Sequence, residues 1–437
     1  MTLDMSVTKQ HAGSPSKVER WRGRSSRMVP LAVVAILIMQ QSSGATVEIG
    51  ALQAGQASHS AVDRASVATQ LAKRLNAPTS KYAPEYLEIP VGCATDSSAG
   101  ALEELFSASL GPIIGHDSPR VYPLGGGRYL WLLQDTFVDY EGTAALIAEA
   151  DYTHNSALIQ EGSCFTMLQR GSLELARSFE PGDGENLNRF FWPAGGEVDG
   201  QTLRIFWTEI ARDTIPRGAF DGVGWHPVLT WMATYDAASM KRLDFRLAPN
   251  SGVSPIYGFS VTSEGSYSYL FGNSFQQNLA LEGGYANGPH TATKMWLARV
   301  PRGRLDLVPE YRTSTGWSTD PGAAHPISSR FWIENAMIPV LIDDRWVSAT
   351  KVDAYLGDQV VIDVAEEPWG PWTTVAEVSA APRGYPAKMV TYHALLLPWL
   401  DPSGGVIVSL SQIHVDWSDG GQPDRYRPRY FAVPIPP

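Results

Sequence analysis

The fold turns on one stretch, LGGGRYLWLLQDTF (124–137), in which a glycine turn opens directly into an aromatic and aliphatic run. Gly125, Gly126 and Gly127 supply the backbone freedom a tight hairpin needs, and RYLWLLQDTF (128–137) is made of β-formers. The same grammar recurs downstream. Val198-Asp199-Gly200 precedes TLRIFWTEI (202–210), and Ile342-Asp343-Asp344 precedes RWVSATKV (345–352). Further runs are YSYLFGNSF (267–275), KMWLARV (294–300), VIVSLSQIHVDW (406–417) and YFAVPI (430–435). The aromatic runs that follow a turn begin near 128, 202, 267, 345 and 406, at spacings of 61–78 residues. That interval fits a four-stranded blade plus a long loop, repeated five times. Radial repetition also protects the edges of so many short strands. The sequence therefore reads as all-β, a five-bladed β-propeller over 85–437. The competing architecture is a double-sheet sandwich or jelly roll, which is normally shorter.

Upstream of the propeller the character changes. Residues 1–27 carry Lys9, Lys17, Arg20, Arg22, Arg24 and Arg27 against Asp4 and Glu19. The apolar run VPLAVVAILIM (29–39) follows, then Ser42, Ser43, Gly44 and Ala45. Basic, apolar and small residues in that order predict a secretory signal over 1–45. The alternative is an uncleaved anchor, but spanning a bilayer takes about 20 predominantly apolar residues, and this run turns polar after 11. Residues 46–84 read as a leader. Within it AVDRASVATQLAKRLN (61–76) places Val62, Val67, Leu71 and Leu75 near helical spacing. The expected location is outside the cell or in its envelope, with no stable membrane span after cleavage.

Charge and cysteine usage narrow the function. The chain of 437 residues carries a net charge of −11, and removing 1–45 leaves −15. That balance excludes a nucleic-acid binder working by phosphate neutralisation and suits a neutral or cationic partner, such as an uncharged polysaccharide. Cys93 and Cys164 are the 2 cysteines, too few for a four-cysteine zinc site. In an exported protein they are expected to pair, the alternative being two separate buried thiols.

The common zinc-protease, hydrolase-elbow and nucleotide-loop motifs are absent from the sequence. DWSDGGQPD (416–424) carries three aspartates but not the spacing of an EF-hand, and reads as a polar turn. No cofactor and no metal are expected. The positive signal is a pair of carboxylates, Asp117 in GHDSPRVYPL and Asp135 at the end of the decisive run, on either side of the Gly125–Gly127 turn. Two strands joined by that turn would carry both carboxyls toward one rim or toward the axis. Glycosidic cleavage needs two carboxyls flanking the bond, one to give a proton and one to attack or to activate water. The structural alternative is that both aspartates cap turns.

At these residues the sequence resembles a large actinobacterial family of exported five-bladed propellers whose shared domain has no assigned function. Some relatives of that family are endo-D-arabinanases acting on mycobacterial arabinogalactan and lipoarabinomannan. The matching segments are HDSPRVYPLGGGRYLWLLQDTFVD (116–139), HNSALIQ (154–160), FWPAGGEVDGQTLRIFW (191–207), WLARVP (296–301), EEPWGPWTTV (366–375) and YRPRYFAVPIP (426–436). The resemblance implies catalytic roles for Asp117 and Asp135. Trp192, Trp332 and Tyr392 could offer flat faces to a furanose ring or pack between blades. His154, Asn155, Asn335 and His393 sit near starts of strand-like segments and could bind hydroxyls. His154 and His393 also read as ordinary structural histidines. Glu334 is the candidate third carboxylate. The leading expectation is a monomeric secreted glycoside hydrolase acting on a furanoside polymer. The alternatives are a non-catalytic glycan- or envelope-binding propeller and a purely structural envelope protein.

Overall fold

The computed structural model describes residues 80–436, apart from 174, 185, 187, 213–224, 254, 274–292, 331–337, 353–357, 385–387 and 415–418. The expected signal (1–45) and leader helix (61–76) lie outside the described residues. Among the described residues, no helix is long and apolar enough to cross a membrane.

The chain folds into five sheets. The first contains β1 (Tyr86–Cys93), β2 (Ile113–Gly125), β3 (Arg128–Val138), β4 (Asp151–Glu161) and β5 (Cys164–Arg170) in the order β1-β5-β4-β3-β2. The second is β6 (Arg189–Asp199), β7 (Thr202–Arg212), β8 (Trp225–Asp236) and β9 (Arg242–Leu247). The third runs β10 (Ile256–Glu264), β11 (Tyr267–Asn273), β12 (Thr293–Pro301), β13 (Glu310–Arg312) and β14 (Trp317–Ser318), with β15 (Ser328–Arg330) also paired to β12. The fourth is β16 (Val340–Ile342), β17 (Arg345–Lys351), β18 (Gln359–Ala365) and β19 (Thr373–Ser379). The fifth is β20 (Met389–Leu400), β21 (Val406–His414) and β22 (Arg429–Val433). The inner strands β2, β6, β10, β16 and β20 touch one another in a closed circuit. Five radial sheets around one axis make a propeller, and the sandwich alternative is excluded.

The turn-opened runs of the sequence are β3, β7, β11, β17 and β21, the second strand of each blade. Such a strand is covered on both faces by neighbouring blades, so it reads as a continuous apolar run. In β3 the alternation of side chains sends Trp131 and Leu133 into the core shared with Leu397 and Ile407 of the fifth blade. Leu130 and Leu132 enter the core shared with Leu203 and Trp207 of the second. Each remaining seam has its own apolar core. The β2–β3 turn places Gly125, Gly126 and Gly127 at φ of 81°, 61° and 73°. A Cβ at any of the three would meet nothing within 4 Å, so the requirement for glycine is conformational, not spatial.

One short α-helix, α1 (Ala99–Ser107), was not apparent in the sequence; nine residues are too few to show a period. It packs on β22 and so covers the outer edge of the three-stranded fifth blade. Ser98 caps it by accepting from the Ala101 N–H, while Asp401 of the fifth blade accepts from the Ala99 N–H at 2.8 Å. Glu103 accepts from the Tyr430 N–H at 2.7 Å and from Arg383 at 2.8 Å. Arg427 donates to the carbonyls of Ile114 and Ser107. These contacts close the ring between its last blade and its first. The expected Cys93–Cys164 bridge is present and staples β1 to β5, where the two cysteines are direct partners.

Candidate functional site

β2 and β3 pair in antiparallel register with Asp117 opposite Gln134, which sets Asp117 and Asp135 side by side across the hairpin. Asp117, Trp192 and Tyr392 each fall within the first five residues of an inner strand, β2, β6 and β20 respectively. One end of the propeller axis therefore collects them. The Tyr392 hydroxyl donates to Asp117 Oδ2 at 2.6 Å. The Tyr426 hydroxyl, from a 3₁₀ turn at Pro423–Tyr426, also holds this carboxyl. Oδ1 of Asp117 has no hydrogen bond of ordinary geometry among the described residues.

The environments of the two carboxyls differ. Asp117 is 3% exposed, whereas the Asp135 side chain is 21% exposed. The Trp192 indole donates to Asp135 Oδ1 at 3.0 Å. Nδ1 of His154 lies 3.5 Å from the same oxygen and 3.0 Å from the Tyr152 hydroxyl. Phe190 stacks on the His154 ring at 3.6 Å, which fixes its plane. Burial and the charge of Asp135 push the Asp117 carboxyl well above the ordinary carboxylate range, against the pull of the two tyrosine hydroxyls. Burial, followed by the charge of Asp117, raises the Tyr426 hydroxyl. The two carboxyls are thus neighbours in unlike surroundings, Asp117 sealed and Asp135 partly open to solvent.

His393 lies beside Tyr392, with its Nδ1 on the Ser118 hydroxyl. Burial and the charge of Arg120 push its imidazole down to about 3, so it is neutral. Asn155 departs from expectation. It is fully buried, its Nδ2 donates to the carbonyls of Glu180 and Phe191, and its Oδ1 accepts from the Glu180 N–H. Those bonds join the first blade to Glu180, on the segment entering the second, and to Phe191 within β6, so Asn155 is a backbone clamp whose amide is already spent. Trp332, Glu334 and Asn335 lie outside the described residues. Of the DWSDGGQPD carboxylates, Asp419 accepts from the Gly421 N–H and pairs with Arg425, as a polar turn would. Among the described residues no cluster of three or more His, Cys, Asp or Glu is arranged to hold a metal.

Sequence reasoning missed Tyr152, Tyr426 and Ser118. Tyr152 had a signal, since it lies two residues before His154 on one strand and so shares its face. Ser118 and Tyr426 had none beyond lying next to, or within, quoted segments, because their partners are far away in sequence.

An all-β propeller with a carboxyl pair at its axis is the class the fold and site define. The chain belongs to the DUF5005 family, a domain of unknown function, which it matches over residues 102–434. No curated protein matches it. In fold it is similar to a Bacteroides ovatus ATCC 8483 protein provisionally named a hydrolase, at 16% identity and a TM-score of 0.56, covering 81% of this chain and 92% of that one. It also matches a GH43_1 enzyme from Xanthomonas citri, solved with xylotriose, at 12% identity and a TM-score of 0.43 over 78% and 91% of the two chains. A third match is a xylan β-1,4-xylosidase from Bacillus halodurans C-125, at 13% identity and a TM-score of 0.41 over 69% and 50%.

Proposed function

We propose that this protein is a secreted glycoside hydrolase-like propeller acting on a furanoside-containing, arabinan-type polysaccharide of a cell envelope or of plant material. The observation that carries the reading is that the β2–β3 hairpin sets Asp117 and Asp135 side by side with unequal burial. Hydrolysis of a glycoside needs one carboxyl that still holds a proton and one that meets the anomeric carbon or its attacking water. Asp117 takes the proton-holding role. Asp135, steadied by Trp192 and His154, takes the substrate-facing role. The arabinan class rests on the motif resemblance of 116–139 and its companion segments, and the acidic surface suits an uncharged polymer. Export rests on the basic, apolar and small residues of 1–45, with a mature N-terminus expected close to Thr46.

One observation favours a second reading, a non-catalytic glycan-binding propeller: Asp117 is sealed from solvent, so substrate meets Asp135 but not its partner. The purified chain, incubated with arabinans, galactans and xylans, separates the two. Oligosaccharide release from arabinan, abolished in Asp135→Asn, supports the hydrolase. Binding without release supports the second reading, and neither binding nor release overturns both.

A further inference from the structure

Two dipeptides meet across the seam between the first and last blades: Asp117-Ser118 on β2 and Tyr392-His393 on β20. Their contacts are matched in order, Tyr392 to Asp117 and His393 to Ser118. The Ser118 N–H also donates to Ser411 Oγ of β21 at 2.9 Å. Ser118 and His393 have φ of 44° and 50°, in the left-handed region. Among the described residues they are the only non-glycine residues inside strands to do so, since Met240, Asp343 and Asp344 lie in turns and Lys388 precedes β20. At each of them the ladder slips: β2–β3 between Asp117 and Arg120, and β20–β21 between Tyr392 and Ala394. A bulge inside a strand re-aims the side chain next to it, and a strained residue persists only where its surroundings hold it.

We propose that Ser118 and His393 are positioning residues for the carboxyl pair. Their contact across the seam holds two backbone kinks that turn Asp117 and Tyr392 toward each other. Closure of the ring and assembly of the site are then one event. The proposal rests on the reading of Asp117 and Asp135 given above and adds how that pair is held.

The groups facing Asp117 are Asp135 from β3, Tyr392 from β20 and Tyr426 from the turn before β22, and Arg120 faces His393. Of these influences, burial acts most strongly on Asp117. Loosening the clasp admits water and should bring its titration down. The test is carbon-13 NMR of the aspartate carboxyls in the full chain, with the Asp117 signal assigned by its loss in Asp117→Asn. Ser118→Ala and His393→Gly, the latter keeping the left-handed backbone at no cost, should each lower the Asp117 midpoint by about one pH unit. His393→Asn tolerates the same backbone and can offer an amide to Ser118, so it should restore the midpoint. A midpoint unchanged in both Ser118→Ala and His393→Gly overturns the proposal, as does a wild-type Asp117 that titrates in the ordinary range. Should His393→Gly not fold, Ser118→Ala, which removes one oxygen, decides alone. The titration needs no substrate, so a chain that cuts no polysaccharide overturns the hydrolase reading and leaves this measurement standing.

Discussion

Trp192 and Asp135 belong to different blades, and the indole N–H of one donates to the carboxyl of the other at 3.0 Å. The bond runs from the inner strand of the second blade to the second strand of the first. It therefore fixes the more exposed carboxyl of the pair against the neighbouring blade. Trp192→Phe keeps a ring but removes the donor. A hydrogen bond to a charged group contributes roughly 1.5–3 kcal/mol, and its loss at a group acting in the transition state should lower kcat by about tenfold or more. The ring still packs, so the loss of stability should not exceed that of this one hydrogen bond. A kcat equal to wild type in steady-state assays on a cleaved polysaccharide would take Trp192 out of the mechanism.

Asn155 should behave as a structural residue. Its amide satisfies the Glu180 N–H and the carbonyls of Glu180 and Phe191, all in a buried setting. Asn155→Ala strands three backbone groups, each costing about 1–3 kcal/mol when left unpaired and dry. The expected loss is about 3 kcal/mol or more in urea unfolding, with KM for any substrate unchanged in the fraction that stays folded. A stability near wild type with a raised KM would return Asn155 to the list of sugar-binding groups.

Removing the disulfide should be costly for a different reason. Cys93 and Cys164 are separated by 71 residues, and closing a loop of that length lowers the entropy of the unfolded chain enough to contribute about 4 kcal/mol. The bridge ties β1 to β5 at the outer edge of the first blade, away from the carboxyls. Cys93→Ser/Cys164→Ser should therefore unfold at markedly lower denaturant while leaving the Asp117 titration in place. Equal midpoints with and without reductant would show that the bridge contributes nothing.

What could be read in advance follows from burial and chain distance. The second strand of each blade announces itself because both its faces are covered: Trp131, Trp207 and Trp346 are all fully buried. The nearness of Asp117 and Asp135 was readable because a single glycine turn joins their strands. Helix α1 was not, since its partners Asp401 and Tyr430 lie about three hundred residues away. The same distance hid the clasp, where Ser118 and His393 are 275 residues apart. Asn155 misled because its partners are backbone atoms, which leave no trace in residue identity.

The pH dependence of stability should expose Asp117 directly. Its carboxyl is raised in the folded state by burial and by Asp135, while in the unfolded chain it titrates near about 3.9. Between those two midpoints the folded protein holds a proton that the unfolded chain has released. Stability contributed by this group is full below the unfolded pKa and falls as pH rises toward the folded one. Asn at 117 has nearly the shape of the protonated carboxyl and no proton to lose. Asp117→Asn should thus flatten the decline, giving a Tm at pH 8 equal to or above wild type and a smaller difference between pH 5 and pH 8. Turnover should fall by about 10²–10⁴, the usual contribution of a general acid or base. Scanning calorimetry at the two pH values reads the first part, and a Tm at pH 8 well below wild type would mean that Asp117 is ionised and needed as such in the fold.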